Sequence, residues 1–330
     1  MRAMQQEYDL IILDQCGPPY DGLTPVFGGL GGSEWENILL AEGFAAQGYK
    51  VCIINSFRFP SRVNNVDYWS IDYLNQNPFK CKTLLVTRSA NVPHEKIEFD
   101  NLRFWFTDLP NESMVANLGN WLCPGKPGLG ICVSQFHCST FPANWNFDFI
   151  YNMIPDWVYS YQGKLKNPNR YIYASAACKG LDATVDLWSQ MKKNYFMKKA
   201  ELGVCHPGYD KVDEKKLKDN KIVFLGSLPF TLLVEQMSQC QSLFYINTMP
   251  ETFCISAVLA EVLCVTPQIL VLQHPGALQE VLANPQMVFG DLELFQKNVF
   301  ENAKMPPKLN PAKDYRVSSI LPQWQKILKI

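Results

Sequence analysis

The sequence has almost no net charge: 30 Lys and Arg against 31 Asp and Glu leave −1 at pH 7, with a pI near 6.4. No global positive field would draw the chain to nucleic acid or to an acidic membrane, so any phosphate site must be local. Lysines do cluster at 192–199 and 211–221, but Tyr, Met, Asp and Glu interrupt them, and both runs read as solvated faces. Also missing are an apolar run of about 18 residues and a cleavable leader, since MRAMQQEYDLIILD passes directly from a short polar stretch into a strand. The expectation is a chain with no transmembrane segment that is not secreted by the usual route. The 11 cysteines are odd in number and contain no CxxC, and Cys52, Cys132 and Cys205 sit inside apolar runs. Free thiols in a reducing cytoplasm follow. No low-complexity segment and no repeat interrupts the chain.

What is present is length and apolar content. A chain of 330 residues with 47% hydrophobic and 13% aromatic residues exceeds one core and can fill two. Short β-rich runs alternate with helical stretches, the signature of parallel sheets built from βαβ units. The first series is DLIILD (9–14), KVCIIN (50–55), TLLV (83–86), RFWFT (103–107) and GICV (130–133). A second series restarts with YIYAS (171–175) and continues through ELGVCH (201–206), KIVFLG (221–226), SLFYIN (242–247) and QILVLQ (268–273). The first helix is marked by Ser33 and Glu36, spaced as a capping box, and ends at Gly48. The stretch 147–170 joins the two series and becomes polar and proline-containing, as a hinge does. The expected organisation is α/β with two Rossmann-like domains, 1–158 and 159–330. The final SSILPQWQKILKI reads as an amphipathic helix needing an apolar surface, and about 318–330 is a candidate to pack back toward the N-terminal domain.

Three stretches offer chemistry. In DQCGPPYDGLTPVFGGLGGSE, Gly28, Gly29, Gly31 and Gly32 lead from the first strand into the first helix, where bare backbone can approach phosphate or sugar. This is not a GxGxxG fingerprint, and no acidic residue closes the second strand, so a nicotinamide dinucleotide is disfavoured; a flexible connection is the alternative. In YIYASAACKGLDATVDLW, a strand ends at Ser175 and Lys179-Gly180 opens a helix, so that the lysine can reach an anion on the helix start or can simply be a surface lysine. In SLFYINTMPETFCISAVLAEVL, a buried strand ends at Asn247 and Glu251 follows at its rim. Thr252, Phe253, Cys254 and Ile255 are expected to form the first turn of a helix, whose amides would hold an anion while Glu251 accepts hydrogen bonds from hydroxyls. The alternative is an acidic residue that merely favours a helix N-terminus.

Taken in order, GGLGGSE, YNMIPDW (151–157), YIYASAACKGLD, VFLGSLPFTLLVEQM (223–237), PETFCISAVLAE and HPGALQEVL (274–282) resemble the retaining GT-B glycosyltransferases of family four across nearly the whole chain. That resemblance implies a GT-B architecture, two Rossmann-like domains whose parallel sheets face across a cleft, with an acceptor-side domain first and a nucleotide-sugar domain second. It implies transfer of a sugar from a GDP- or UDP-sugar to a glycan or glycoconjugate acceptor, with retention, no cofactor and no metal; no DxD motif occurs in the sequence. Glu251 and Lys179 would be the catalytic pair, Glu251 on the donor sugar hydroxyls and Lys179 on the diphosphate. Gly29, Gly31, Ser175, Gly180, Leu228, Thr252, Phe253, Cys254 and Ile255 would line the donor, with Leu228 beside the base. Asp108 and His137 are candidate acceptor-side groups, His137 reading more readily as a structural loop histidine. The chain departs from the pattern at three places. Leu259 stands where the family carries a second glutamate, and Glu261 is turned about 200° from that position. The turn before Lys179 holds Ala174, Ser175 and Ala176 instead of an arginine, and Thr107 and Asp108 stand where a histidine is common. These departures keep open a protein of the same fold that binds nucleotide-sugar, or serves as a scaffold, without turnover.

Overall fold

In the computed structural model, which describes residues 6–57 and 59–330, the strand-forming runs assemble into two sheets. The polar start at 1–5 lies outside the described residues. The first sheet contains β1 (Gln6–Asp14), β2 (Val51–Asn55), β3 (Ser61–Val63), β4 (Val66–Ser70), β5 (Phe79–Thr87), β6 (Ile97–Trp105), β7 (Leu129–Cys132) and β8 (Phe147–Phe149), in the order β3-β4-β2-β1-β5-β6-β7-β8. All pairings are parallel except β3 with β4. The second sheet contains β9 (Asn167–Ala174), β10 (Glu201–Cys205), β11 (Val223–Gly226), β12 (Cys240–Asn247), β13 (Thr266–Val271) and β14 (Val288–Phe289), all parallel, in the order β11-β10-β9-β12-β13-β14.

The central strands are continuous apolar runs because helices cover both faces of a parallel sheet. Leu10, Ile11, Ile12 and Leu13 of β1 are wholly buried, and every residue of β12 is buried. In both sheets the chain winds to one side of its first strand and then crosses to the other. This makes β1/β5 and β9/β12 the points where strand order reverses, and in open α/β sheets ligands bind beyond the carboxyl ends of the strands at such points.

The chain forms two compact units, one of 1–24, 32–153 and 315–330, the other of 25–31 and 154–314. In the first, the C-terminal helix Val317–Leu328 buries Ile320, Leu321, Trp324 and Leu328. Trp324 meets Trp105 edge to face at 4.6 Å, while Thr83 Oγ1 and Arg103 Nε donate to the carbonyls of Leu328 and Ile327 at 2.6 and 2.8 Å. These bonds satisfy last-turn carbonyls that a helix cannot satisfy itself.

One local expectation is corrected. Ser33 and Glu36 form no capping box: the helix already begins at Gly32, Ser33 Oγ lies 2.7 Å from Thr107 Oγ1, and buried Glu36 accepts from the Met153 amide at 2.8 Å. Tertiary partners have displaced the local one, and burial pushes the Glu36 carboxyl well above its ordinary range. The stretch between β2 and β5 contains the β3–β4 hairpin and the helix Ile71–Gln76. Asn64 and Asn65 turn that hairpin at φ +49° and +63°, the two left-handed residues that a tight hairpin requires. Among the described residues no helix is long and apolar enough to cross a membrane.

Candidate functional site

Beyond the carboxyl ends of β9 and β12, the second unit brings together the two residues that the sequence singled out. Lys179 Nζ lies 2.8 Å from Glu251 Oε2, although the two are far apart in sequence. Glu251 is 2% exposed, whereas the lysine side chain keeps 34% of its surface, so the pair is reachable from the lysine side. The other carboxylate oxygen accepts from Tyr245 Oη at 2.6 Å and from Asn247 Nδ2 at 3.4 Å, both from the end of β12. Charge-assisted bonds of this kind fix a carboxylate in orientation as well as position. Burial works against the charge on Lys179, but Glu251 beside it outweighs that, and the ammonium is held above its ordinary value. Burial, and then the Glu251 carboxylate, likewise hold the Tyr245 phenol well above its own.

Two glycines make this approach of backbones possible. Gly180, at φ +118°, follows the short 3₁₀ turn Ala177–Lys179 and starts the helix Leu181–Met191. A Cβ there would overlap the Ile246 carbonyl oxygen and sit 3.1 Å from Thr248 Cγ2. Gly276, at φ +62°, presses against Glu251 so closely that a Cβ would overlap its amide nitrogen and carbonyl oxygen. The neighbouring Ala277 amide donates to the Glu251 carbonyl at 2.7 Å. The HPG turn is therefore the floor under Glu251.

The segment after Glu251 departs from expectation. Thr252, Phe253 and Cys254 do not form a helical turn; the helix runs Ile255–Val262, and Cys254 stands before it at φ +65°, ψ +72°. A non-glycine residue in the left-handed region is strained, and burial supplies the constraint, since Cys254 is 8% exposed and Phe253 1%. Burial and Glu251 together raise the Cys254 thiol pKa. Ser256 Oγ donates to the Ala174 carbonyl, tying the helix start to the end of β9 beside Ser175. The Ala257 and Val258 amides donate to the Cys254 carbonyl at 3.1 and 3.2 Å, and the start of this helix carries its positive dipole end. Position 259 faces the core, with Leu259 1% exposed, and Glu261 is occupied structurally by the Ala283 and Asn284 amides at 2.8 Å each.

Of the glycine-rich stretch, residues 25–31 group with the second unit: Gly29 N–H donates to Ser227 Oγ at 3.0 Å, and Gly31 is buried. Leu228 follows Ser227, half-buried, just before the helix Phe230–Ser238. In the first unit, Asp108 is exposed and His137 is wholly buried. The Val133 amide donates to His137 Nδ1 at 3.4 Å, which leaves the proton on Nε2, 2.8 Å from the Asp108 carbonyl. Burial lowers the ring to about 4. His137 thus holds the loop that carries Asp108. Among the described residues, no group of three or more His, Cys, Asp or Glu is placed to hold a metal ion.

No protein-family model and no curated protein matches the chain. Solved structures match over nearly its whole length. Sucrose-phosphate synthase from Thermosynechococcus elongatus aligns at TM-score 0.65 and 11% identity over 97% of this chain and 98% of that one. Anabaena HepE in complex with UDP aligns at 0.64 and 14% over 97% and 99%, and WaaG, a glycosyltransferase involved in lipopolysaccharide biosynthesis, at 0.59 and 13% over 96% and 99%. The fold is GT-B. At such identities the likeness extends to the fold and leaves the chemistry to be argued from the residues.

The first unit of this GT-B chain holds a second charged cluster that the sequence reading missed, at the β1/β5 reversal. Arg88 donates to Asp14 and to Glu34, both at 2.6 Å, with the two carboxylates 0% and 4% exposed and the guanidinium 13%. Tyr20 Oη and Asn37 Nδ2 complete the shell of Asp14 at 3.0 and 3.1 Å. The signal was present: two apolar strands, DLIILD and TLLVTR, end in opposite charges. Only the parallel pairing of Asp14 with Thr87 brings those ends together.

Proposed function

We propose that the protein is a glycosyltransferase that moves a sugar from a UDP- or GDP-sugar to a glycan or glycoconjugate acceptor with retention of anomeric configuration. The observation that carries this reading is the Lys179–Glu251 pair, set at the strand-order reversal of the second sheet beside the N-terminus of the helix Ile255–Val262. Without ligand the two groups neutralise one another. A donor would separate their roles, with Lys179 turning to the diphosphate and the released Glu251 oxygen accepting from sugar hydroxyls. Phe253, Cys254 and Ile255 would present amides to phosphate. Ser175, Gly180 and Thr252 would border that space, Leu228 would lie by the base, and the 25–31 segment with Gly29 and Gly31 would close over the donor.

In the reaction the acceptor oxygen bonds to the anomeric carbon as the bond to the diphosphate breaks, and the acceptor proton passes to the leaving phosphate. Negative charge collects on that phosphate, and a fixed ammonium with helix amides stabilises it without reorganisation. We propose that this replaces a metal ion. With 11 free cysteines, six of them buried, the expected setting is the reducing cytoplasm.

A second reading, a binding protein without turnover, draws on Leu259, whose core position leaves the usual ribose carboxylate without a counterpart on that helix face. The experiment is a thermal-shift panel of UDP, GDP, ADP and their sugar conjugates against NADH, followed by product analysis. Ligand at 100 times its dissociation constant stabilises a fold by about 2.7 kcal/mol, a readable shift. Glu251→Ala and Lys179→Ala should each abolish transfer in a folded protein; near-normal turnover in either refutes the assigned site, and binding without product favours the second reading.

A further inference from the structure

In the first unit, the loop that follows β5 and the helix Glu112–Leu122 that follows β6 border an open cavity of about 530 Å³, within the range of small-ligand sites. Its walls carry Asn91, Asn117, Asn120, Ser113 and Trp121, and His94 is the one titratable group lining it. Asn117 and Asn120 do not serve the helix. Asn111 caps it, accepting from the Met114 amide at 2.8 Å, but Asn117 and Asn120 are exposed within the helix, where asparagine is among the poorer formers. With Ser113 they follow the three- and four-residue spacing of one face, and Leu118 and Leu122 are the residues buried on the core side.

The facing loop is already set. Asn91 Nδ2 donates to Gln15 Oε1 at 2.7 Å, Gln15 Nε2 returns a bond to the Asn91 carbonyl at 2.8 Å, and the Asn91 amide donates to Ser89 Oγ at 3.0 Å. A carboxamide presents a donor and an acceptor side by side, the complement of neighbouring hydroxyls. The half-buried indole of Trp121, packed against Phe104, adds an apolar face next to them. No arginine or lysine, the side chains that pair with phosphate or carboxylate, lines the cavity.

We propose that this cavity binds an uncharged saccharide, and that its occupant is the acceptor glycan. The second clause rests on the transferase reading; the first does not. The test uses the full chain and a panel of neutral gluco-, galacto-, manno- and N-acetylglucosamine-containing oligosaccharides, with uronic-acid oligosaccharides beside them, followed by titration calorimetry and tryptophan fluorescence. At least one neutral oligosaccharide should bind and perturb Trp121. The double variant Asn117→Ala/Asn120→Ala should weaken that binding at least tenfold while holding or raising Tm, because alanine is the better helix former. The proposal is overturned if no neutral member binds, if only the uronic-acid members bind, or if the double variant binds as the parent does. Nucleotide-sugar binding is measured on the same samples: its absence would remove the transferase reading and leave the saccharide result to stand or fall alone.

Discussion

Replacing Gly276 by alanine tests how the site is built without touching a group that would meet a ligand. At φ +62° an alanine costs about 1–2 kcal/mol relative to glycine, and its Cβ would lie 2.8 Å from the Glu251 carbonyl carbon while overlapping the flanking oxygen and nitrogen. The Glu251 backbone must retreat by on the order of 1 Å, a misplacement that costs about 100-fold where the displaced group positions a substrate. The carboxylate moves with it, opening the 2.6 Å bond from Tyr245 and the 2.8 Å pair with Lys179. The expected result is a loss in urea unfolding larger than the about 1–2 kcal/mol of the left-handed backbone alone, because the overlap adds to it, together with a fall of about 100-fold in kcat/KM for sugar transfer. Gly290→Ala is the control, since a Cβ there meets nothing within 4 Å. Transfer within twofold of the parent in Gly276→Ala, with normal donor affinity, would refute the claim that this turn holds Glu251 in place.

Three further outcomes are expected. Arg88→Met strands two buried carboxylates and should destabilise the first unit by about 3–5 kcal/mol, measured by urea unfolding; adding Asp14→Asn and Glu34→Gln should recover most of it, and a mild effect of the single change would contradict the pairing. His137 sits at about 4 in the fold against about 6.5 unfolded. The unfolded chain therefore binds the extra proton between those values, and stability falls as pH drops from about 6.5 toward about 4. By pH 5 the loss is about 2 kcal/mol. His137→Gln should flatten the difference between unfolding curves at pH 7 and pH 5 by that amount, and parallel pH profiles would sink the assignment. Deleting residues 317–330 uncovers Trp105 and removes the carbonyl partners of Thr83 and Arg103; the shortened chain should lose cooperative unfolding by circular dichroism, whereas an unchanged Tm would show that the helix contributes nothing.

Much of the fold was legible because its long elements are specified locally. Runs such as LIIL and SLFYI, short and bounded by turn residues, read as buried strands, and the lysine-glycine and Glu251 stretches each lie within one strand-turn-helix unit. The failures share a cause as well. β3, β8 and β14 have two or three residues each, too few for a period to show. Ser33 and Glu36 matched a capping box by spacing, but they found Thr107 and the Met153 amide, partners no local pattern reveals. Asn64-Asn65 was a hairpin signal of the right kind, lost because the flanking strands are short.

The two strand-order reversals show why one charged cluster could be singled out and the other could not, and why they differ in what they can do. Each sheet places a cation from one strand end against a carboxylate from the neighbouring strand end. In the second unit the count is one against one, and the cation keeps a third of its surface. On the proposed function an incoming diphosphate opens the pair by offering the part-buried Lys179 a replacement for the Glu251 oxygen. In the first unit one guanidinium faces two carboxylates that are almost wholly buried, with a tyrosine and an asparagine closing the shell. Removing Arg88 from that arrangement would leave two unpaired charges in a low dielectric, which a ligand outside cannot offset. The same topology therefore gives a fixed clamp on one sheet and, on the proposed function, an exchangeable pair on the other, and the difference rests on one additional carboxylate, Glu34, and on the depth at which it lies.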